Sequence, residues 1–129
     1  MVTKEKEQGF FGSLALSHKV MAAIQAMGFE EPSPIQAKTI PPIMEGKDVI
    51  GQAQTGTGKT AAFGIPIVER VQDLRQVQAL IMTPTRELAL QVSEEIAKIG
   101  LYKKVTNVPV HGGQSSDRQI RALHIGVPV

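Results

Sequence analysis

The sequence contains no cysteine, and this absence removes several classes of protein from consideration. Without cysteine there is no disulfide framework, no thiolate nucleophile and no zinc site built on thiolates. No apolar stretch approaches the roughly 18 residues that a membrane-spanning helix needs. The N-terminal segment VTKEKEQG is too polar for a secretory signal peptide. These absences favour a globular protein of a reducing, cytoplasmic compartment.

The composition predicts one small domain with a core of its own. The chain has 129 residues, of which 42% are hydrophobic and 20% are charged, an ordinary balance for a globular protein. Residues 1–9 are polar, with lysines beside glutamates, and we expect them to form a flexible tail. Residues 10–129 are expected to form the folded domain, and they contain no internal repeat.

Charge is distributed unevenly along the chain. The net charge is only +2, but residues 98–129 carry five basic residues against the single acidic residue Asp117. A basic segment of this kind can bind a polyanion, or it can simply form a solvated face. Charge alone leaves both interpretations open.

The strongest chemical signal is the stretch AQTGTGKT, from Ala53 to Thr60. It follows a short apolar run and precedes a helical pattern, the context of a phosphate-binding loop. Gly56 and Gly58 would let the backbone curl so that successive N–H groups face anionic oxygens. Lys59 would reach the outer phosphates, and the hydroxyl of Thr60 would bind Mg²⁺.

Two helices are predicted before this loop. Ser17 has the character of an N-cap, and Gly28 would end the first helix. In the segment SPIQ, Ser33 would cap the second helix while Gln36 folds back to complete a capping box. We expect Pro41-Pro42 to interrupt this helix, because proline cannot donate to the helical hydrogen-bond ladder.

The remainder of the chain alternates between strand and helix patterns, which predicts an α/β fold with a parallel sheet covered by helices on both faces. The predicted order after the phosphate loop is a helix over Lys59–Leu74, a strand over Ala79–Met82, a helix capped by Thr83 and ended by Gly100, a strand over Val105–Val110, a helix over Asp117–Leu123, and a strand opening at Gly126.

Four sequence motifs resemble, in their order along the chain, those of the N-terminal part of the DEAD-box RNA helicases. The residues around the phosphate loop are most similar to those of bacterial members. GFEEPSPIQ, ending at Gln36, resembles the family's Q motif, with Phe11 as its upstream aromatic residue. AQTGTGKT resembles motif I, PTRELA resembles motif Ia, and Gly112-Gly113 resembles the family's GG loop. The resemblance implies a P-loop NTPase domain of RecA-like fold, of which these residues would be the N-terminal piece.

The resemblance also implies roles for individual residues. Phe11 would stack on adenine, and Gln36 would hydrogen-bond to the adenine edge. Lys59 and Thr60 would be the catalytic residues present, with Thr60 forming part of a Mg²⁺ site. The residues implied to hold the phosphates of ATP are Gln54, Thr55, Gly56, Thr57, Gly58, Lys59 and Thr60.

RNA is the second ligand that the resemblance implies. Its sugar-phosphate backbone would lie against motif Ia and the GG loop, so that binding would not depend on base sequence. The residues implied in this contact are Pro84, Thr85, Arg86, Glu87, Gly112 and Gly113, with Gln114 beside them.

The sequence departs from the family pattern in the motifs that it lacks. It has no DEAD tetrapeptide and no SAT motif, and neither Glu30-Glu31 nor Glu94-Glu95 follows an apolar strand. No residue is therefore available to hold Mg²⁺ from a second strand end or to position the attacking water. The partner implied is the second RecA-like domain of the parent chain. We expect these 129 residues alone neither to hydrolyse ATP nor to unwind RNA. The strand before the phosphate loop would also lack its usual neighbours.

Two other functions remain open at this point. One is a different P-loop enzyme, such as a small kinase or a GTPase, although no Asn-Lys-x-Asp guanine signature is present. The other is a non-catalytic RNA-binding or scaffold module, which the basic C-terminal segment and the two RNA motifs would support.

Overall fold

The computed structural model describes residues 11–113 and 115–129. The predicted tail, Phe10 and Gln114 lie outside these described residues. After a short 3₁₀ turn at Phe11–Leu14, the described helices are α1 His18–Ala26, α2 Pro34–Met44, α3 Lys59–Arg70, α4 Arg86–Ile99 and α5 Ser116–Ile125.

The predicted start and stop of α1 are confirmed. The hydroxyl of Ser17 accepts a hydrogen bond from the backbone N–H of Val20, at 3.4 Å. The helix ends at Ala26, and Gly28 then takes a left-handed backbone with φ +82°. Ser17 is extended and Gly28 is left-handed, and a helix cannot continue through either conformation.

The predicted interruption of α2 at Pro41-Pro42 is wrong, because the helix continues through both prolines to Met44. The prolines lie in the last turns, where they remove donors but keep their own carbonyls. The carbonyl of Pro41 accepts from Glu45 N at 3.1 Å, and that of Pro42 accepts from Lys47 N at 3.0 Å. The carbonyls left without a helical donor belong to exposed residues, where water can satisfy them.

Helix α3 ends at Arg70, four residues earlier than predicted, and its end is held from outside the helix. The ammonium of Lys103 donates to the carbonyl of Val68 at 2.8 Å and to that of Glu69 at 2.7 Å. A cation at this end also interacts favourably with the helix dipole. Val71 then turns the backbone into an extended conformation.

Helix α4 begins at a different residue from the one predicted. The N-cap is Thr85, whose hydroxyl accepts from Leu88 N at 3.2 Å, and not Thr83. The hydroxyl of Thr83 instead donates to the carbonyl of Thr85 at 3.2 Å. Starting at Arg86 places the carboxylate of Glu87 in the first turn, where the helix dipole favours a negative charge. The predicted end at Gly100 is confirmed.

The core lies between the helices, and α3 packs against both α2 and α4. Close approach of α3 and α4 depends on Gly64, where an added Cβ would lie 2.9 Å from Cδ1 of Ile96. Helix α5 has no buried residue and extends slightly beyond its predicted range at both ends. The principal buried apolar residues are Phe11, Val20, Ile24, Ile40, Ala61, Ile65, Val68, Val71, Val92, Ile96, Ile99 and Val105.

No strand forms among the described residues, so the predicted parallel sheet is not present in this structure. The segments predicted as strands, which we call the extended segments after that prediction, have no regular secondary structure and share only isolated hydrogen bonds. Gln78 N and Ala79 N both donate to the carbonyl of Pro128, at 2.9 and 3.1 Å, and Val108 N donates to that of Val129 at 3.1 Å. A β-ladder needs regularly repeated pairs of such bonds, and these contacts do not supply them.

Apolar side chains on these extended segments face solvent. Ile50 is 97% exposed, Leu80 is 84% exposed and Met82 is 86% exposed. The apolar character that predicted buried strands is therefore real, but no neighbouring layer within residues 11–113 and 115–129 covers those side chains.

The segment that closes the described chain is fixed where it crosses the loop after α3. Gly126 has φ +103°, and a Cβ at this position would collide with the backbone carbonyl of Arg75. Only glycine allows both this backbone conformation and this approach. Within the described part of the chain, no helix is both long enough and apolar enough to cross a membrane.

Candidate functional site

The stretch Ala53–Thr60 forms a curled loop that leads directly into α3. Gly56 and Gly58 both have φ +81°, a conformation that side chains disfavour, and Gly58 is the N-cap of the helix. No side chain of the described residues caps this helix start. The first N–H groups of α3 and the positive end of its dipole therefore face the loop, an arrangement suited to an anion.

The loop is closed on itself by two hydrogen bonds. The ammonium of Lys59 donates to the carbonyl of Ala53 at 2.8 Å, and the hydroxyl of Thr57 donates to the carbonyl of Gln54 at 2.6 Å. Lys59 is exposed, and Thr60 is half-buried in the first turn of α3. The lysine therefore spans the mouth of the loop, where a phosphate oxygen could replace the carbonyl as its acceptor.

Gln36 connects the Q motif to this loop. Its Oε1 accepts from Ser33 N at 3.0 Å, which confirms that the glutamine folds back over the start of α2. Its Nε2 donates to the carbonyl of Gly58, also at 3.0 Å. The buried hydroxyl oxygen of Ser33 faces the backbone N–H of Gln36 without a well-formed hydrogen bond. The link to Gly58 could not be predicted from the capping box alone.

Gly58 is required by space as well as by backbone conformation. A Cβ on this residue would collide with the side-chain amide of Gln36. Since Gln36 is only 4% exposed, its amide has little room to move aside. The carboxamide and the phosphate loop are therefore held in one fixed relation.

Motif Ia and the GG loop meet on another part of the surface. Arg86 is the first residue of α4, and a Cβ on Gly113 would lie 2.9 Å from its Nη1. Gly113 has φ +84°, so its backbone and its contact with Arg86 both favour glycine. The structure thus brings together two of the predicted RNA-binding motifs. Pro84, Thr85, Arg86, Glu87, Gly112 and Gly113 are all exposed.

A family model described as DEAD/DEAH box helicase matches residues 33–129. The chain belongs to this family. The match covers the phosphate loop, motif Ia and the GG loop, and it begins inside the Q motif.

Curated proteins of the family are similar to this chain over most of its length. The chain is 66% identical to the DEAD-box ATP-dependent RNA helicase CshA of Geobacillus kaustophilus over 114 residues, which are 88% of this chain and 24% of that protein. It is 59% identical to CshA of Bacillus subtilis over 114 residues, 88% of this chain and 23% of that protein. The chain therefore spans about a quarter of the length of these relatives.

Solved structures of DEAD-box proteins share the fold. A DEAD box protein from Methanococcus jannaschii has a TM-score of 0.80 at 37% identity, over 93% of this chain and 33% of that one. Prp28 from Chaetomium thermophilum bound to ADP has a TM-score of 0.80 at 35% identity, over 91% and 30%. Dbp5 of S. cerevisiae bound to RNA and ADP BeF3 has a TM-score of 0.73 at 32% identity, over 83% and 29%. The predicted family and RecA-like fold are confirmed, although the sheet itself is not seen.

Phe11, the predicted partner of adenine in this DEAD-box chain, lies in the core. Phe11 is 1% exposed and stacks on Phe29, with ring centroids 6.3 Å apart and ring planes at 25°. Phe29 is half-buried and so is the more open of the two rings. Sequence reasoning did not single out Phe29, although its place as the second residue of GFEEPSPIQ could have drawn attention to it.

A cavity of about 730 Å³ lies beside α1 and α4. Its lining includes Phe29, Thr60 and Glu95, but not Lys59 or Gln36. Burial raises the pKa of the Glu95 carboxyl, and the neighbouring positive charge of Lys98 partly offsets this effect. The cavity therefore adjoins the start of α3 without including the mouth of the phosphate loop.

The residues present fit Mg²⁺ only in part. Among residues 11–113 and 115–129, no three His, Cys, Asp or Glu side chains are grouped so as to hold a metal ion. Mg²⁺ is usually bound through one or two carboxylates together with phosphates and water. The hydroxyl of Thr60 is the one ligand that the motif supplies, so phosphates, water and carboxylates from elsewhere would have to complete the coordination.

Proposed function

We propose that the whole protein that contains these residues is an ATP-dependent RNA helicase of the cytoplasm. Residues 10–129 would form the ATP-binding, N-terminal part of its first RecA-like domain. The single observation that carries the proposal is the hydrogen bond from Gln36 to Gly58, because it fixes a carboxamide beside a phosphate loop. The relatives named ATP-dependent RNA helicase support the same function.

The unused hydrogen-bonding capacity of Gln36 suits an adenine edge. A carboxamide has two N–H donors and two oxygen lone pairs. The bonds to Ser33 and Gly58 use one of each. One donor and one lone pair remain, and this pair matches the N7 acceptor and N6 amino group of adenine.

The phosphates of ATP would occupy the curled loop. Backbone N–H groups of the loop and of the first turn of α3 would bind the phosphate oxygens. The ammonium of Lys59 would leave the carbonyl of Ala53 and move to the outer phosphates. Gln54, Thr55, Gly56, Thr57 and Gly58 would form the walls, and Thr60 would add one ligand to a bound Mg²⁺. Divalent metal would supply charge neutralisation of the phosphates when bound.

Phe11 would contribute to binding of the base together with Phe29. Since the ring of Phe11 is almost fully buried, it would have to turn one face toward the adenine while Phe29 supports the other. Stacking on an aromatic face adds affinity without reading the sugar or the phosphates.

RNA would lie against the surface formed by motif Ia and the GG loop. The guanidinium of Arg86 and the exposed backbone of Gly113 can both contact a phosphate group. The helix start at Thr85 adds further N–H donors. The carboxylate of Glu87 would repel phosphate, and it would instead accept a hydrogen bond from a ribose 2′-hydroxyl.

Lys59 and Thr60 would hold the phosphates but would not break the bond unaided. Water positioning would require acidic residues and the second RecA-like domain, which we propose as the partner of this domain. The chain of 129 residues is therefore expected to bind ATP and to release no phosphate from it.

Nucleotide binding and phosphate release from the purified 129-residue chain test the proposal. Lys59→Ala should weaken ATP binding by about tenfold or more, because a charge-assisted contact to phosphate is lost. Lys47→Ala, which removes an exposed lysine paired with Glu45, should leave the affinity unchanged. Phosphate release should stay at background with and without RNA.

Other outcomes would contradict the proposal in distinct ways. A preference for GTP over ATP, or phosphate transfer to a small acceptor, would indicate a different P-loop enzyme. RNA binding that ignores both ATP and Gln36→Ala would indicate a scaffold module. RNA-stimulated phosphate release that disappears in Lys59→Ala would show that the 129 residues suffice for hydrolysis.

A further inference from the structure

The carboxylate of Glu69 connects the end of α3 to the start of α1. Its Oε1 accepts from the backbone N–H of Ser17 and its Oε2 accepts from the Ser17 hydroxyl, both at 3.0 Å. Ser17 is the N-cap of α1, so Glu69 supplies an acceptor at the positive end of that helix. The two residues are 52 positions apart in the sequence.

Glu69 is itself anchored by its surroundings. The ammonium of Lys103 donates to the carbonyls of Val68 and Glu69, which fixes the backbone at this end of α3. Burial lowers the pKa of Lys103, the negative charge of Glu69 raises it, and the positive charge of Lys19 lowers it further. The other end of α3 is the phosphate loop, so Glu69 is rigidly related to that loop through one helix.

The segment that Glu69 holds carries both aromatic rings of the Q-motif region. Phe11 opens the 3₁₀ turn that precedes Ser17, and Phe29 follows the Met27-Gly28 turn at the end of α1, with its N–H donating to the carbonyl of Ile24 at 3.2 Å. The two rings stack on each other. Movement of α1 at Ser17 would therefore move the ring pair relative to the loop.

We propose that Glu69 is a positioning residue that sets the place of the Phe11–Phe29 ring pair relative to the phosphate loop, and so serves recognition of the nucleotide base. This inference rests on the function proposed above. Its distinguishing consequence is that Glu69 affects binding of the base and leaves binding of the phosphates unchanged.

The two oxygens of Glu69 allow the geometry to be tested in steps. Glu69→Ala removes both contacts to Ser17. Glu69→Gln keeps one carbonyl oxygen for the N–H of Ser17, while its new amino group can donate to the Ser17 hydroxyl. The glutamine variant should therefore retain most of the positioning, and the alanine variant should lose it.

The experiment compares the dissociation constants of ATP and of inorganic tripolyphosphate in the whole protein. In Glu69→Ala, ATP should bind about fivefold more weakly, as expected for loss of one or two charge-assisted hydrogen bonds. Tripolyphosphate affinity should stay unchanged, and Glu69→Gln should restore most of the ATP affinity. Asp117→Ala, which removes an exposed carboxylate on α5 away from the phosphate loop, is the control and should change neither constant.

Each alternative result has a separate meaning. Equal weakening of ATP and tripolyphosphate in Glu69→Ala, or no change in either, would overturn the positioning role. A wild-type protein that binds tripolyphosphate as tightly as ATP would overturn the proposed base recognition itself. Should Glu69→Ala fail to fold, the ratio of the ATP and tripolyphosphate dissociation constants is measured in Glu69→Gln and in Ser17→Ala instead. A smaller loss of ATP affinity, with unchanged tripolyphosphate affinity, is expected in both variants.

Discussion

The helices and the extended segments of this chain differ sharply in the burial of their apolar side chains. Ile65 on α3 is completely buried, whereas Ile50, just before the phosphate loop, is 97% exposed. Ile50 belongs to the short apolar run predicted as a strand, and Ile65 lies in the helix predicted after the phosphate loop. The helices pack on one another, while the described extended segments share only three backbone hydrogen bonds with each other.

The difference follows from where each element finds its hydrogen-bond partners. A helix satisfies most of its backbone groups internally, so it needs neighbours only to bury one face. An extended segment must find partners in other parts of the chain, and its apolar faces need additional layers. The proposed nucleotide site is built on α2 and α3, which are joined by the hydrogen bond from Gln36 to the carbonyl of Gly58.

The largest expected effect compares the two isoleucines directly. Ile65→Ala should destabilise the folded chain by about 2–5 kcal/mol, because it leaves a cavity in the core. Ile50→Ala should change the free energy of unfolding by less than about 0.5 kcal/mol, as exposed positions usually do. Urea unfolding of both variants measures the contrast. Similar costs would show that the Ile50 segment is packed in solution.

A smaller effect compares two glycines with nearly the same backbone angle. Gly46 has φ +82° with open space around it, so Gly46→Ala should cost about 1 kcal/mol in strain alone. Gly58→Ala adds a collision with Gln36, and we expect about 2–3 kcal/mol in total.

The same pair of variants separates stability from binding. Gly58→Ala should also weaken ATP binding by about tenfold or more, since the carboxamide and the loop lose their fixed relation. Gly46→Ala should keep wild-type affinity. Thermal unfolding and ATP titration of both proteins provide the measurement, and equal ATP affinities would contradict the role assigned to the Gln36–Gly58 contact.

The smallest effect concerns Glu95 on α4, where burial raises the pKa of the carboxyl above its usual 4.5. Between pH 4.5 and the raised pKa, the folded state holds a proton that the unfolded state has released. The contribution of this group to stability is therefore fully present below pH 4.5. That contribution is lost as the pH rises through the raised pKa.

Glu95→Gln should remove this pH dependence. Relative to wild type, the variant should gain stability as the pH rises from about 4 to about 7, by less than about 1 kcal/mol because the group is partly solvated. Unfolding curves at several pH values give the difference. A gain that shrinks with rising pH would show that the pKa is lowered instead.

Local signals in the sequence predicted some of the helix ends. Ser17, Gln36 and Gly100 each act within a few residues of themselves, and each was placed correctly. One error, at the start of α4, lay where two local signals competed. Thr83 and Thr85 both have hydroxyls beside Pro84, and only the folded backbone selects between them.

Contacts between distant motifs could not be predicted from local patterns. The motif residues of the site were identifiable, but the bond from Gln36 to Gly58 depends on how α2 packs against α3. The approach of Gly113 to Arg86 depends likewise on the path of the chain after α4. The sheet was predicted from apolar runs, which show a preference for burial but not the presence of the neighbours that burial requires.

The crossing of Gly126 over the Arg75 carbonyl has a practical consequence for altering this protein. The two backbones meet without an intervening side chain, so a change that shifts either segment at the crossing should disturb the other. Inserted tags or reporter peptides should therefore be directed away from the loop after α3. The turn at Gly46, which has open space where a side chain would stand, is the better place for them.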